Sequence, residues 1–177
     1  MKRMQKRALG IVLTLLMLLM TACGGQEGTG LGAQQGYESS AQTGEGSNTK
    51  ENDNLPTYGS YYYDLTNVVL YLELYDELPS NYITKSEAQE LGWEGGSVEK
   101  YLKGAAIGGD TFGNREGLLP KANGRSYMEC DIDTNGYSSR GSRRLVFSSD
   151  GLYFYTADHY ETFSQVVVTE EYEVVIR

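Results

Sequence analysis

The chain has 177 residues, of which 40% are hydrophobic, enough for one domain with a single hydrophobic core. Its formal net charge is −9, which argues against an ordinary nucleic-acid-binding protein, because such proteins are usually basic. The two cysteines cannot form a disulfide framework of the kind found in small secreted domains.

The N-terminal segment has the three parts of an export signal: a basic start, the apolar run Ala8 to Met20, and Thr21-Ala22-Cys23. The apolar run is shorter than the about 20 residues that a transmembrane helix needs, so we expect residues 1–22 to be a signal peptide. A cysteine after Thr-Ala resembles the bacterial lipobox. We therefore expect Cys23 to be lipidated and the protein to lie outside the cell on the membrane surface, with plain secretion as the alternative.

Residues 23–57 are rich in Gly, Gln, Ser and Thr and contain few large apolar side chains. Such a segment cannot bury enough surface to offset its ordering entropy, so it is predicted to be a disordered linker. The folded domain is expected over 58–167, with 168–177 as a C-terminal extension. If Cys23 is lipidated, Cys130 has no disulfide partner and is best explained as a small buried hydrophobic residue.

Three helices are predicted in the first half of the domain. Apolar residues recur with helical period from Asp64 to Tyr75, and Leu78-Pro79 should end that helix. The pattern Thr84-Lys-Ser-Glu87 is a capping box, so a second helix should run from Lys85 to just before Gly92. Residues 97–102 are a candidate for a third, and the single tryptophan, Trp93, is expected in the core.

Strands are predicted after Gly104. In 125–133, Met128, Cys130 and Ile132 alternate with polar residues, which should bury these three and place Glu129 and Asp131 on the other face. Residues 144–147 and 152–156 flank an Asp-Gly turn and predict a hairpin, and a last strand should begin near 162. The fold class is therefore α+β, with N-terminal helices packed on a C-terminal antiparallel sheet. Residues 166–177 could add a strand pair or form an irregular tail.

Four local sequences, in this order and spacing, resemble the secreted microbial ribonucleases of the barnase family. They are LPSNYITKSEAQELGW (78–93), IGGDTFGNREG (107–117), RGSRR (140–144) and FYTADHYETF (154–163). The resemblance covers about residues 62–167 and implies the microbial ribonuclease fold, an RNA substrate and a mechanism that needs no cofactor or metal.

The resemblance assigns roles to five residues that suit metal-free RNA cleavage. Glu129 corresponds to the general base that takes the ribose 2′-OH proton, and His159 to the general acid that protonates the leaving 5′-oxygen. Reference pKa values of about 4.3 for glutamate and 6.5 for histidine allow an ionised glutamate and a protonated histidine to coexist in mildly acidic to neutral solution. Arg140 and Arg144 correspond to phosphate-binding arginines and Lys85 to a catalytic lysine. From its place beside Glu129, we expect Asp131 to orient the arginines, and Arg143 to be an ordinary solvated residue.

The segment Phe112-Gly113-Asn114-Arg115-Glu116 corresponds to the guanine-recognition loop of that family. A carboxylate can accept both N–H groups of the guanine edge, so Glu116 is assigned to that edge, with Arg115 and the loop backbone on the other side. Tyr160 could stack on a base or the ribose, and Asp110 is expected to be structural. Three departures from the family are Gly113, where serine is common, Met128, where a basic residue is common, and one inserted residue between Asp133 and Arg140.

The charge distribution weakens the objection that the net charge raises. Residues 115–144 carry six basic and four acidic groups, whereas 24–80 carry one lysine and nine acids. The resemblance implies an endoribonuclease that prefers guanosine, forms a 2′,3′-cyclic phosphate and acts as a monomer, with a barstar-like acidic inhibitor as a candidate partner. The alternative is a surface lipoprotein that keeps the fold but only binds or confers immunity.

Residues 131–136 match the first half of a calcium-binding loop, D-x-D-x-N-G. Such loops need a glutamate at the twelfth position, which here is Ser142. The preceding segment is also predicted to be a strand rather than a helix. We therefore interpret this segment as a turn that follows the Glu129 strand, and we expect no metal site.

Overall fold

The computed structural model describes residues 55–177. The expected signal peptide, the lipidation site Cys23 and all but the last three residues of the linker lie outside the described residues. Within them, no helix is both long and apolar enough to cross a membrane.

The first helix, α1 (Leu65–Tyr75), forms where the helical period predicts it. The carboxylate of Asp64 caps its start by accepting the Asn67 amide at 3.0 Å. The helix ends at Tyr75, because Asp76 adopts a left-handed backbone with φ of 61°. Its end therefore lies before Leu78-Pro79, which we had expected to terminate it.

The second helix, α2 (Lys85–Glu90), has the predicted capping box between Thr84 and Glu87. The candidate third helix is only a 3₁₀ turn, Val98–Lys100, capped by the Ser97 hydroxyl. Trp93 is buried, as expected, with Ala88, Val98, Ala105 and Ile107. We call these five residues the Trp93 cluster; it joins α2 to the sheet.

The sheet has seven strands in sequence order, and only the first pair is parallel. The predicted hairpin and last strand are present as β4, β5 and β6. The glycine-rich segment 106–112, for which we had predicted no strand, is also part of the sheet. The strands are β1 (Tyr82–Ile83), β2 (Ala106–Phe112), β3 (Tyr127–Asp131), β4 (Arg144–Ser148), β5 (Tyr153–Thr156), β6 (Ser164–Val168) and β7 (Val174–Ile176).

Strand β3 alternates as predicted, but one burial prediction was wrong. Cys130 and Ile132 are buried in the main core beneath α1, whereas Met128 is 38% exposed. Tyr127, on the opposite face, is instead buried with Leu119, Val146 and Phe154 in a second apolar cluster. Alternation sets which face a side chain lies on, but only the packed neighbours decide whether that part of the face is covered.

Residues 166–177 form a strand pair, which settles the alternative that the sequence left open. Strand β7 pairs antiparallel with β6, with Val167 opposite Val175. Val168 and Val174 pack against the main core, so the expected C-terminal extension belongs to the same sheet.

Candidate active site

The register of the central strands brings three distant polar residues into one row. Asp131 on β3 is the partner of Arg144 on β4, and Arg144 is the partner of Thr156 on β5. All three are buried, and Asp131 is only 1% exposed. A carboxylate in this position must be paired, because an isolated buried charge is very costly.

Both predicted phosphate-binding arginines pair with Asp131, as expected. Arg140 donates through Nε and Nη2 to the two carboxylate oxygens at 2.7 and 2.8 Å. Burial lowers the pKa of Arg140, but its hydrogen bond and charge attraction to Asp131 outweigh that effect and raise it. The Nε of Arg144 lies 2.9 Å from Asp131 Oδ1, although its N–H is too poorly aligned to form a hydrogen bond, so this contact is mainly ionic.

The two arginines differ in what they offer to a ligand. The Arg144 side chain is 3% exposed, and its Nη atoms donate to the carbonyl oxygens of Arg140, Gly141 and Arg143. The Arg140 side chain is 21% exposed and uses one edge of its guanidinium on Asp131. Arg140 therefore has the more accessible edge for a phosphate, whereas Arg144 mainly holds Asp131 and the loop before β4. Arg143 is 55% exposed and pairs with Asp133, as expected of a solvated residue.

A second polar row places Lys85 against Glu129. Glu129 on β3 is the partner of Asp110 on β2, where the register shifts at Gly108 and Asp110. The Asp110 carboxylate accepts the backbone N–H of Lys85 at 3.0 Å, which supports its expected structural role. The Lys85 Nζ in turn lies 2.5 Å from Glu129 Oε1, and the Glu129 side chain is 9% exposed. This ion pair offsets the cost of placing the carboxylate in a mostly buried position.

His159 lies on an exposed loop with an unusual backbone. His159 and Tyr160 have φ values of 62° and 78°, in the left-handed region that few non-glycine residues adopt. The backbone N–H of His159 donates to the Ser142 carbonyl at 3.1 Å, and that of Tyr160 to the Thr156 hydroxyl at 3.0 Å. These bonds fix the loop while leaving the imidazole accessible.

Asp158 holds the same loop from inside. Its carboxylate accepts the hydroxyl of Thr162 at 2.6 Å, the backbone N–H of Thr162 at 2.9 Å and the hydroxyl of Thr156 at 2.7 Å. These bonds, the Thr162 hydroxyl first, lower the pKa of Asp158 to about 2. Sequence analysis missed both Asp158 and Thr156. A short Thr-x-Asp-x-x-x-Thr pattern was the available signal, since such side chains form local turns.

Tyr160 connects the parts of the site. Burial, followed by a hydrogen bond to Glu129, raises the pKa of its hydroxyl well above the usual value, while Arg144 has the opposite effect. Its ring centre lies 5.0 Å from that of His159 and 5.3 Å from that of Phe112. Tyr160 therefore contacts the expected base, the expected acid and the recognition loop.

Asn114, which we predicted to bind the substrate, instead holds the recognition loop (112–116) in shape. Asn114, with φ of 43°, is buried, and its side-chain amide exchanges two hydrogen bonds with the backbone of Leu119. This amide shapes the loop rather than facing outward. Phe112 packs against the second apolar cluster, whereas Gly113, Arg115 and Glu116 are exposed.

An open cleft of about 1030 Å³ separates this loop from the His159 loop. Its volume is at the upper end of the range of about 300–1,000 Å³ typical of small-molecule sites. Its walls include Phe112, Arg115, Glu116, His159 and Tyr160. Its walls do not include Glu129, Lys85, Arg140 or Arg144.

The calcium-like segment 131–136 is engaged in other contacts. Asp131 holds Arg140 and Arg144, and Asp133 pairs with Arg143 at 2.8 Å. The segment follows strand β3 and precedes β4, whereas a calcium loop of this kind lies between helices. In residues 55–177 no group of three potential metal ligands comes together.

Comparison with known proteins also indicates a ribonuclease. A family model described as ribonuclease matches residues 68–167. A ribonuclease of Heyndrickxia coagulans is 50% identical over 99 residues, which cover 54% of this chain and 89% of that protein. A ribonuclease of Bacillus intermedius has the same identity over 99 residues, covering 60% of its length. Guanyl-specific ribonuclease St of Saccharopolyspora erythraea is 45% identical over 60 residues, 34% of this chain and 59% of that protein.

The family match contains every residue of the two polar rows, the His159 loop and the recognition loop. The sheet with its N-terminal helices also agrees with the α+β fold that the sequence predicted. On this evidence the chain belongs to the ribonuclease family.

Proposed function

We propose that the protein is an endoribonuclease that cleaves single-stranded RNA after guanosine through a 2′,3′-cyclic phosphate. The observation that carries this proposal is the row Asp131–Arg144–Thr156, because it joins strand β3, on which Glu129 pairs with Lys85, to the loop of His159. The backbone N–H of His159 donates to the carbonyl of Ser142, which lies two residues before the buried Arg144. A carboxylate, an accessible imidazole and a paired arginine thus lie around this row. These are the groups that phosphodiester transesterification requires.

In the first step Glu129 accepts the proton of the ribose 2′-OH, and the 2′-oxygen forms a bond to phosphorus. The bond from phosphorus to the 5′-oxygen breaks, and His159 donates a proton to that leaving oxygen. Arg140 stabilises the charge on the phosphoryl oxygens with its outward N–H groups. Hydrolysis of the cyclic phosphate reverses the two roles: His159 takes a proton from water and Glu129 returns one to the 2′-oxygen.

The guanosine preference is proposed for the loop 112–116. Glu116 is exposed at the wall of the cleft and can accept two N–H groups from a guanine edge. The Asn114 bonds keep the loop backbone in one shape, so its N–H groups are positioned before a base arrives. The guanyl specificity in the name of the Saccharopolyspora erythraea relative supports this assignment.

The direct test is cleavage of a single-stranded oligonucleotide with one guanosine, with product masses measured over time. We expect a 2′,3′-cyclic phosphate at that guanosine first and a 3′-phosphate later. Activity should persist in EDTA, because the proposed steps use only protonic groups and arginine. Binding without cleavage would support the non-enzymatic alternative, and loss in EDTA with recovery in Ca²⁺ would refute the proposed mechanism.

The base preference can be tested with Glu116→Gln. Loss of a carboxylate that accepts two N–H groups should lower the preference for GpN over ApN dinucleotides by about 1–3 kcal/mol, or roughly 5- to 150-fold. Glu161→Gln is the matched control, since Glu161 also lines the cleft but belongs to the His159 loop. An unchanged G-to-A ratio in Glu116→Gln would place recognition elsewhere.

We also propose that the protein is exported and is held on the outer face of the cell membrane by a lipid on Cys23. This lipid would be its single contact with the membrane. The support is the sequence of residues 1–23 alone. Metabolic labelling with a fatty acid should mark the wild-type protein, and Cys23→Ser should remain unlabelled. Wild-type protein found only in the medium, with a mature terminus beyond Cys23, would contradict the anchor.

A further inference from the structure

The guanidinium of Arg140 lies over the face of Trp93, with its central carbon 5.6 Å from the ring centre. Tryptophan is the best of the aromatic partners for a cation. The Asp131 carboxylate contacts one edge of the same guanidinium, through Nε and Nη2. The edge contact and the face contact are therefore made by two different residues.

These two contacts constrain different motions. Bonds to one edge fix the direction of the planar group, but they leave rotation about that edge possible. An indole ring against the face restricts that rotation and so sets where the remaining N–H groups point. A guanidinium has five N–H groups, so three remain for other acceptors once Asp131 has taken two.

Trp93 is itself held firmly. Its indole N–H donates to the Gly96 carbonyl at 3.0 Å, and its backbone N–H to the Ala88 carbonyl at 3.0 Å. The Ala88 contact links it to α2, the helix that begins with Lys85. The Trp93 cluster thus supports both Lys85, which pairs with Glu129, and Arg140, which pairs with Asp131.

The loop that contains the inserted residue rests on the same unit. The Ser138 carbonyl accepts the Ser97 backbone N–H at 3.3 Å, and Gly96 lies close to it. The loop before Arg140 is thereby attached to the turn that follows Trp93. This attachment holds the loop beside Trp93 at Ser138, two residues before Arg140, which pairs with Asp131.

We propose that Trp93 is a positioning residue for phosphate binding, which acts by holding the plane of the Arg140 guanidinium. The proposal rests on the proposed function in assigning the phosphate to Arg140. It adds that the indole face, and not only the Asp131 ion pair, determines phosphate affinity.

The full chain supplies its own probe, because Trp93 is the single tryptophan. Titration with inorganic phosphate, and separately with guanosine 3′-monophosphate, should give a saturable change in tryptophan fluorescence. In Arg140→Gln the response to phosphate should be lost. A wild-type protein whose fluorescence does not respond to either ligand would overturn the proposal.

A set of variants separates positioning from core packing. Trp93→Leu should weaken phosphate binding, followed by calorimetry, about three- to tenfold, in line with loss of a partly desolvated cation–π contact. Trp93→Phe, which keeps a smaller aromatic face, should fall between it and the wild type and serves if Trp93→Leu does not fold. Val98→Ala is the matched control, since it weakens the Trp93 cluster while leaving the indole over Arg140.

The double variant Trp93→Leu/Arg140→Gln should bind phosphate as Arg140→Gln does. Additive losses, or an equal loss in Val98→Ala, would show that Trp93 acts only on stability and would refute the proposal. Phosphate binding is measured without turnover. A protein that shows this coupling but leaves RNA intact would refute the proposed function while supporting the role of Trp93.

Discussion

Two regions of the site position their charged groups by opposite means. Around Asp131 the groups are nearly excluded from water and fixed by strand register, with Arg144 directly opposite on β4. Around His159 the chain is exposed, and a carboxylate–hydroxyl network holds two consecutive left-handed residues. The comparison indicates that the charges around Asp131 are built into the sheet, whereas the imidazole that we propose as the general acid is placed on a solvent-accessible loop.

The largest effects on turnover are expected where protons move. Glu129→Gln and His159→Asn should each lower the cleavage rate by about 10²–10⁴, the usual worth of general acid–base groups. Asparagine is chosen at 159 because it tolerates the left-handed backbone there. Urea unfolding should show a native-like fold for both, and near-wild-type cleavage by either variant would be incompatible with its assigned role.

The largest effect on stability is expected at Asp131. Asp131→Asn leaves two arginines without their buried counter-ion and should lower the free energy of unfolding by about 3–5 kcal/mol. Asp133→Asn is the matched control: its exposed pair with Arg143 should contribute only about 0–1 kcal/mol. Urea unfolding of both variants measures the difference, and equal losses would remove the distinction between buried and exposed ion pairs.

A smaller, local effect is expected at Asp158. Asp158→Ala removes the acceptor for Thr156 and Thr162 and should lower turnover about tenfold through misplacement of His159, with little change in the unfolding midpoint. Glu161→Ala, in the same loop and exposed, should leave turnover much closer to that of the wild type. Wild-type turnover in Asp158→Ala would mean that the loop does not need this carboxylate.

The pH dependence of the loop follows from the same carboxylate. The pKa of Asp158 in the folded protein, about 2, lies below its ordinary value of about 3.9. Its bonds are therefore fully present above about pH 4 and are lost as the pH falls towards 2. The carboxyl carbon resonance of Asp158 should thus keep the chemical shift of the ionised form from pH 7 to 4 and move below that range; a protonation shift of this carbon centred above pH 4 would contradict this assignment.

Local rules predicted the elements that depend on local pattern. The capping box at Thr84, the alternation of β3 and the Asp-Gly turn of the hairpin all appear where expected. Rules of this kind failed where residues distant in sequence determine whether a segment forms a strand. Strand β2 contains Gly108, in a segment where sequence analysis named no strand. A Cβ there would lie 2.5 Å from Cys130 Cβ and 2.6 Å from the Tyr82 ring, so packing against other elements requires glycine at this position.

The same limit applies to the site. The resemblance supplied the residues, but not that Arg144 is covered by backbone carbonyls or that the Asn114 amide is used by its own loop. Nor could composition indicate that Trp93 lies beneath Arg140, since 47 positions separate them in sequence. Such facts depend on packing between elements, which a single sequence does not specify locally.

The strand pair β6–β7 has a consequence for the behaviour of the protein at high concentration. An unpaired sheet edge can recruit another chain by strand addition, and very short edge strands reduce that risk. Here β7 covers β6, so the apolar residues Val166, Val167 and Val168 pair within the molecule. The strands left at the two ends of the sheet are β1, with two residues, and β7, with three. The sheet therefore offers little backbone on which intermolecular β-aggregation could begin.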